Sequence, residues 1–246
     1  MSQQISHSDN FNFKDERVFD NLINKAKSLG KTQLPMGWVQ IFLNNEMVHE
    51  GPNLIVSQGR EFVAQKIFNT NKKSDGTLTD FRNHNISHFA IGSGGATMSG
   101  QSFTLTGPVI GDTMLSQPIS LGTSDEYLTE PNPASSPSGE NPIVHTSAKA
   151  VKPIMTHGDV YLEPVSYDGG STSYTKVLAT CHIPSNEPSM LEASAAVLIN
   201  EAGLYFVNPN LPDSSVEKVK MFAHICFAPK FKEVESDFTI YWYILC

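Results

Sequence analysis

The chain has 246 residues, of which 39% are hydrophobic and 17% charged, and its formal net charge is −8. That length fits one large β-rich domain or two small ones, with enough chain to bury a sizeable core. With 17 Lys and Arg and no basic run, direct DNA or RNA binding is not expected, because a phosphate-binding groove needs clustered cations.

The start, MSQQISHSDNFNF, is polar, so a secretory signal is not expected. Residues 1–35 read as an N-terminal arm. Within it Val18, Leu22, Ala26 and Leu29 recur at helical spacing, with Asp15 and Glu16 before them and Gly30 after, which predicts an amphipathic helix. From Trp38 the period changes. Trp38–Leu43, Asn44-Asn45 and Glu46–His49 predict a β-hairpin, since Asn tolerates the positive φ of a tight turn. GREFVAQKIFN predicts a short internal helix with Ser57 as N-cap, core positions Phe62, Val63, Ile67 and Phe68, and an end near Asn69. NISHFAIGSGG predicts a strand running into a glycine turn.

Residues 93–150 lose periodicity, and about 97–153 reads as a long insertion in a single β-rich domain spanning 36–246. Within it EPNPASSPSGENP, Glu130 to Pro142, is a low-complexity polar segment. A loop of that length is commonly disordered or functional. Strand patterns return at DVYLEPVSY, YTKVLATCHIP, EASAAVLINEAGLYF, KMFAHICFAP and DFTIYWYILC, joined by Pro, Gly, Asn and Ser. The expected fold is therefore mainly β, a β-sandwich or barrel-like domain with an N-terminal helix and one short internal helix. In the last segment Phe238, Ile240, Trp242, Ile244 and Cys246 share one face, and Thr239, Tyr241, Tyr243 and Leu245 the other. Neither face is charged, so both are expected to be covered. No apolar run approaches the roughly 20 residues of a bilayer span.

No catalytic, cofactor or metal site stands out, and no enzyme activity is expected. Cys181, Cys226 and Cys246 form no CxxC pair and read as reduced thiols. Cys181 and His182 are adjacent in a strand and point to opposite faces. His84 and His88 are four apart but lead into a strand. His182 and His224 sit in strand-like runs, so all four read as structural. GSGGATMSG, Gly92 to Gly100, lacks the Lys of a phosphate loop and the helix of a dinucleotide fingerprint, which leaves a tight turn. Glu187, Glu192 and Glu201 are spread through strand–turn segments. NEAGLYF predicts a bulge or bend, in which a covered Glu201 needs a partner such as Arg60 or a backbone amide.

Four segments together resemble bacteriophage tail-associated proteins. NLIVSQGREFVAQKIF, Asn53 to Phe68, is similar to their strand-then-helix opening. ISHFAIGSGGA, Ile86 to Ala96, is similar to the strand and glycine turn that follows. INEAGLYF, Ile199 to Phe206, resembles a later strand. Met221 to Ile244 resembles a closing hairpin in which KMFAHICFAP pairs with the final strand. The resemblance implies a virion structural subunit of the tail, baseplate or neck, made and assembled in the host bacterial cytoplasm. It would assemble with copies of itself and with neighbouring virion proteins. It implies no catalytic residues. The alternative expectation is a capsid decoration, cement or fibre-like binding protein on the phage head. A third is a polysaccharide-cleaving appendage.

Overall fold

The computed structural model describes residues 36–69, 80–100, 102–121, 127, 128, 130, 151–155, 161–167, 172–185, 187 and 196–245. The predicted N-terminal helix and residues 131–142 lie outside them. The elements in chain order are β1 (Met36–Leu43), β2 (Glu46–Ile55), α1 (Ser57–Phe68), β3 (Asn85–Gly92), β4 (Ala96–Ser99) and β5 (Ser102–Leu105). Then come β6 (Lys152–Pro153), β7 (Tyr161–Tyr167), β8 (Thr172–Ile183), β9 (Val197–Val207), β10 (Val219–Lys232) and β11 (Phe238–Leu245).

Nine strands form one sheet in the order β6-β3-β9-β10-β2-β1-β11-β8-β7, while β4 and β5 form a separate hairpin. The described pairings are antiparallel. The large sheet curls until its two halves nearly meet. Just past β6, the Ile154 N–H donates to Ser87 O on β3 at 2.9 Å, and the Met155 N–H donates to Thr180 O on β8 at 3.0 Å. That short segment bridges the halves, and the sheet is barrel-like and almost closed. The interior is one apolar core fed by both halves, with Val39, Phe89, Leu204, Phe227 and Trp242 all fully buried. The mainly-β expectation holds.

The β1–β2 hairpin forms as predicted, with Asn44 at φ 50° and Asn45 at φ 64°. Its turn is pinned from across the chain. The Asn44 N–H donates to Asp237 O, and Asn44 Oδ1 accepts the Asp237 N–H, both at 2.9 Å. In β11, Phe238, Ile240, Trp242 and Ile244 join the core as predicted. Tyr243 on the opposite face is also buried, beside Trp38 and Leu178.

Three local expectations are corrected. The final strand does not pair with β10; β11 lies between β1 and β8. β10 has β9 on one edge and β2, at Ala223 and His224, on the other, whereas β1 offers a continuous eight-residue register from Met36↔Leu245 to Leu43↔Phe238. Ser57 is not the N-cap of α1. Val56 holds that position without a side-chain cap, and the Ser57 N–H is met instead by Ile110 O at 2.8 Å. Ile67 and Phe68 are exposed rather than core. The inward side of α1 is set by Gly59, Phe62 and Gln65. Phe62 stacks on Phe206 at 4.7 Å between ring centroids, and Gln65 Oε1 accepts the buried Phe81 N–H at 2.7 Å. A Cβ on Gly59 would lie 2.2 Å from Phe222 O, so the glycine lets the helix sit against β10. The predicted end of α1 is met, with Asn69 in the left-handed region.

Candidate functional site

The outer face of β3, β9 and β10 is not solvent-washed. Residues 106–121 run over it, and a second, smaller apolar cluster there includes Ala90, Leu115, Tyr205 and Met221. Between this cover and the sheet lies a polar cluster built around Glu201. Strand register creates it: Glu201 on β9 faces Gly92 on β3 and Cys226 on β10. His224 stands two residues before Cys226 and therefore shares its face.

Glu201 is fully buried. Its Oε1 accepts the Gly94 N–H at 2.9 Å and the Gln117 N–H at 2.8 Å. Its Oε2 accepts the Ser116 N–H at 3.1 Å and lies 3.2 Å from His224 Nε2. A buried carboxylate survives only when hydrogen-bonded and paired. Burial raises its pKa, but the bonds from His224 and the three amides outweigh this and hold it below the usual value.

The glycines of the GSGG turn follow from this approach. A Cβ on Gly92 would meet Glu201 Oε1 at 2.5 Å, one on Gly94 would meet Ser116 Cβ at 2.5 Å, and one on Gly95 would meet Asn200 O at 2.3 Å. The Gly95 N–H donates to Asn200 Oδ1 at 2.7 Å. The turn thus holds an anion, but that anion is the chain's own carboxylate. The backbone-amide partner expected for Glu201 is present, and Arg60 is not that partner: its Nε donates to Ile55 O at 3.1 Å. The bend expected in NEAGLYF falls on the strand opposite. The β9–β10 register shifts between Cys226 and Lys230, where Pro229 has no N–H to donate.

His224 is held at both nitrogens. Nδ1 lies 2.7 Å from Asp112 Oδ2, and Cys226 Sγ lies 3.7 Å from Nε2. Asp112 Oδ2 also accepts the Val109 N–H at 2.8 Å, which fixes the carboxylate. Burial pulls the His224 pKa down, but Cys226, Glu201 and Asp112 push it up to about 10. The ring is therefore an imidazolium at neutral pH, donating to a carboxylate on each side. Next to this group, Glu130 accepts the Leu115 N–H at 2.9 Å and the Tyr205 hydroxyl through Oε1. Burial pushes the Glu130 carboxyl up to about 7. The first residue of the low-complexity segment is thus an anchor of the sheet's cover.

The other singled-out residues do not join this cluster. His84 Nε2 lies 2.8 Å from Glu217 O, His88 Nδ1 2.8 Å from Ser87 Oγ, and His182 Nδ1 3.0 Å from Thr239 Oγ1. Cys181 is buried in the core, and burial pushes its thiol far up. Glu187 forms a second knot. It pairs with Lys152, accepts the Tyr127 hydroxyl at 2.6 Å, and its backbone oxygen takes a hydrogen bond from the buried Lys232. Glu192 lies outside the described residues. Nothing in the sequence joins Asp112, Glu130 and the Cys226–His224 pair into one site. The only local trace of it is the His-x-Cys spacing on one strand face.

No known protein family, curated protein or solved structure matches the chain.

Proposed function

We propose that the chain is a structural subunit of a bacteriophage virion, placed in the tail, baseplate or neck and acting by assembly rather than catalysis. The observation that carries this reading is how three of the resembling segments meet the first strand of the fourth, whose second strand, β11, lies instead between β1 and β8. Ile55 and Leu54 pair with Ala223 and His224, Gly92 and Cys226 flank Glu201, and α1 packs on Phe206 and Phe222. Segments spread along the chain thus form one contiguous unit around one buried carboxylate. That carboxylate binds the chain's own amides, so the arrangement locks strands and cover together.

The surface supports the same reading. Met98 and Phe103 face each other across the β4–β5 hairpin, with Leu105 on the same side, and all three are about half exposed. Val109 and Ile110 follow, also exposed. Exposed apolar side chains grouped on one side of this hairpin suit contact with another copy or a neighbouring virion protein. The test is the protein composition of gradient-purified particles produced from the genome that encodes this chain. The chain should co-purify in fixed proportion to the other particle proteins. Its absence from particles, with abundant free chain in the lysate, would overturn the proposal.

A further inference from the structure

We infer that Glu201, His224 and Cys226 form a binding site for a divalent transition-metal ion of the zinc class. Their donor atoms all lie within 4.8 Å of one another, the one such group among the described residues. The two separations that involve His224 Nε2 match those of a tetrahedral centre. Zinc–ligand bond lengths with tetrahedral angles separate an imidazole nitrogen from a carboxylate oxygen by about 3.3 Å and from a thiolate sulfur by about 3.6 Å. Here Nε2 lies 3.2 Å from Glu201 Oε2 and 3.7 Å from Cys226 Sγ. Nε2 thus lies at ligand spacing from both other donors, and an ion bound there would replace the Nε2 proton.

The supports around these donors suit an ion. Oε2 spends one lone pair on the Ser116 amide, and the other faces Nε2, so a cation can take it without breaking the amide bonds. Oε1 stays fixed by the Gly94 and Gln117 amides. The second imidazole nitrogen donates to Asp112, the arrangement that orients a metal-bound histidine and raises its basicity. Binding forms bonds from the metal to O, N and S and releases the Nε2 proton and the thiol proton to solvent. Imidazole with thiolate favours zinc, cobalt or nickel over magnesium or calcium. Glu201 and His224 are buried and Cys226 is partly covered, so the three donors lie between the sheet and its cover. Three protein donors leave a fourth position for water or a partner's ligand. The site was not visible from sequence spacing because Glu201 reaches Cys226 only through strand register. It does not depend on the virion reading.

The test uses the full chain, stripped with chelator and titrated with Co²⁺. One equivalent should produce a sulfur-to-cobalt charge-transfer band and intense tetrahedral visible bands, both removed by added Zn²⁺. Cys226→Ser should lose the charge-transfer band, and Cys181→Ser should keep it. A second readout needs no variant: Zn²⁺ should slow iodoacetamide labelling of Cys226, followed by peptide mapping, at least tenfold. The absence of a band, a band that persists in Cys226→Ser, or an unchanged labelling rate would overturn the site.

Discussion

At the scale of the residue, the fold depends on a few side chains whose surroundings are extreme. Trp242 is fully buried in the core of the almost closed sheet. Replacing it with Ala should cost on the order of 3–5 kcal/mol, read as the loss of unfolding free energy in urea. A loss well under 1 kcal/mol would mean the site collapses or is solvated. Gly95 and Gly111 make a sharper pair. A Cβ on Gly95 would lie 2.3 Å from a backbone oxygen, whereas one on Gly111 would meet nothing within 4 Å. Gly95→Ala should destabilise by roughly 1–3 kcal/mol or more through overpacking. Gly111→Ala should be close to neutral on the same assay, and equal effects would contradict the tight approach at Glu201. Glu130 adds a pH signature. Its carboxyl is raised by burial from the ordinary 4.5 to about 7. Between those values the folded chain holds a proton that the unfolded chain has lost, so this group makes stability fall as pH rises from 4.5 to 7. Glu130→Gln should flatten that fall by up to roughly 3 kcal/mol, measured by urea unfolding at both ends of the window. The glycine turn itself was legible in the letters GSGG. Its cause was not, because Glu201 is 107 positions away from Gly94.

Among the elements, local pattern was a good guide to what forms and a poor guide to what pairs. The Asn-Asn hairpin and the core face of β11 rest on nearest-neighbour chemistry, turn propensity in one case and alternation in the other, and both were readable. The partner of β11 was not. Sequence proximity favoured β10, but β10 lies between β2 and β9 in the sheet, and β11 pairs with β1 and β8. The exposure of Ile67 and Phe68 has a similar origin. Helical spacing marks a stripe, but the packed side of α1 is set by where Gly59 lets it touch β10. The element that bridges the two halves of the sheet is the least conspicuous, the short stretch after β6. Its two amides bond to β3 and β8. In hydrogen exchange the amides of Ile154 and Met155 should be protected to a degree comparable with the central strands. Exchange at the rate of an open loop would mean the two halves of the sheet are not bridged there.

For the whole molecule, the same geometry joins the fold to its proposed work. A nearly closed sheet leaves few free edges. Further contacts then fall to surfaces such as the β4–β5 hairpin, with Met98, Phe103 and Leu105 on one side. Burial of such side chains in the proposed assembly would contribute about 25 cal/mol per Å² before association costs. Many modest contacts in a closed assembly reinforce one another through effective concentration. The mainly-β class was legible in composition and alternation. The buried Glu201–His224 cluster was not, because it exists only once β3, β9 and β10 are in register. The proposed place of this chain is in a phage particle, at the tail, baseplate or neck. Electron microscopy of intact particles labelled with antibodies to the chain tests it most directly. Label is expected at one fixed position on the tail, its baseplate or the neck. Label spread over the capsid shell, or unlabelled particles beside abundant free chain, would contradict it.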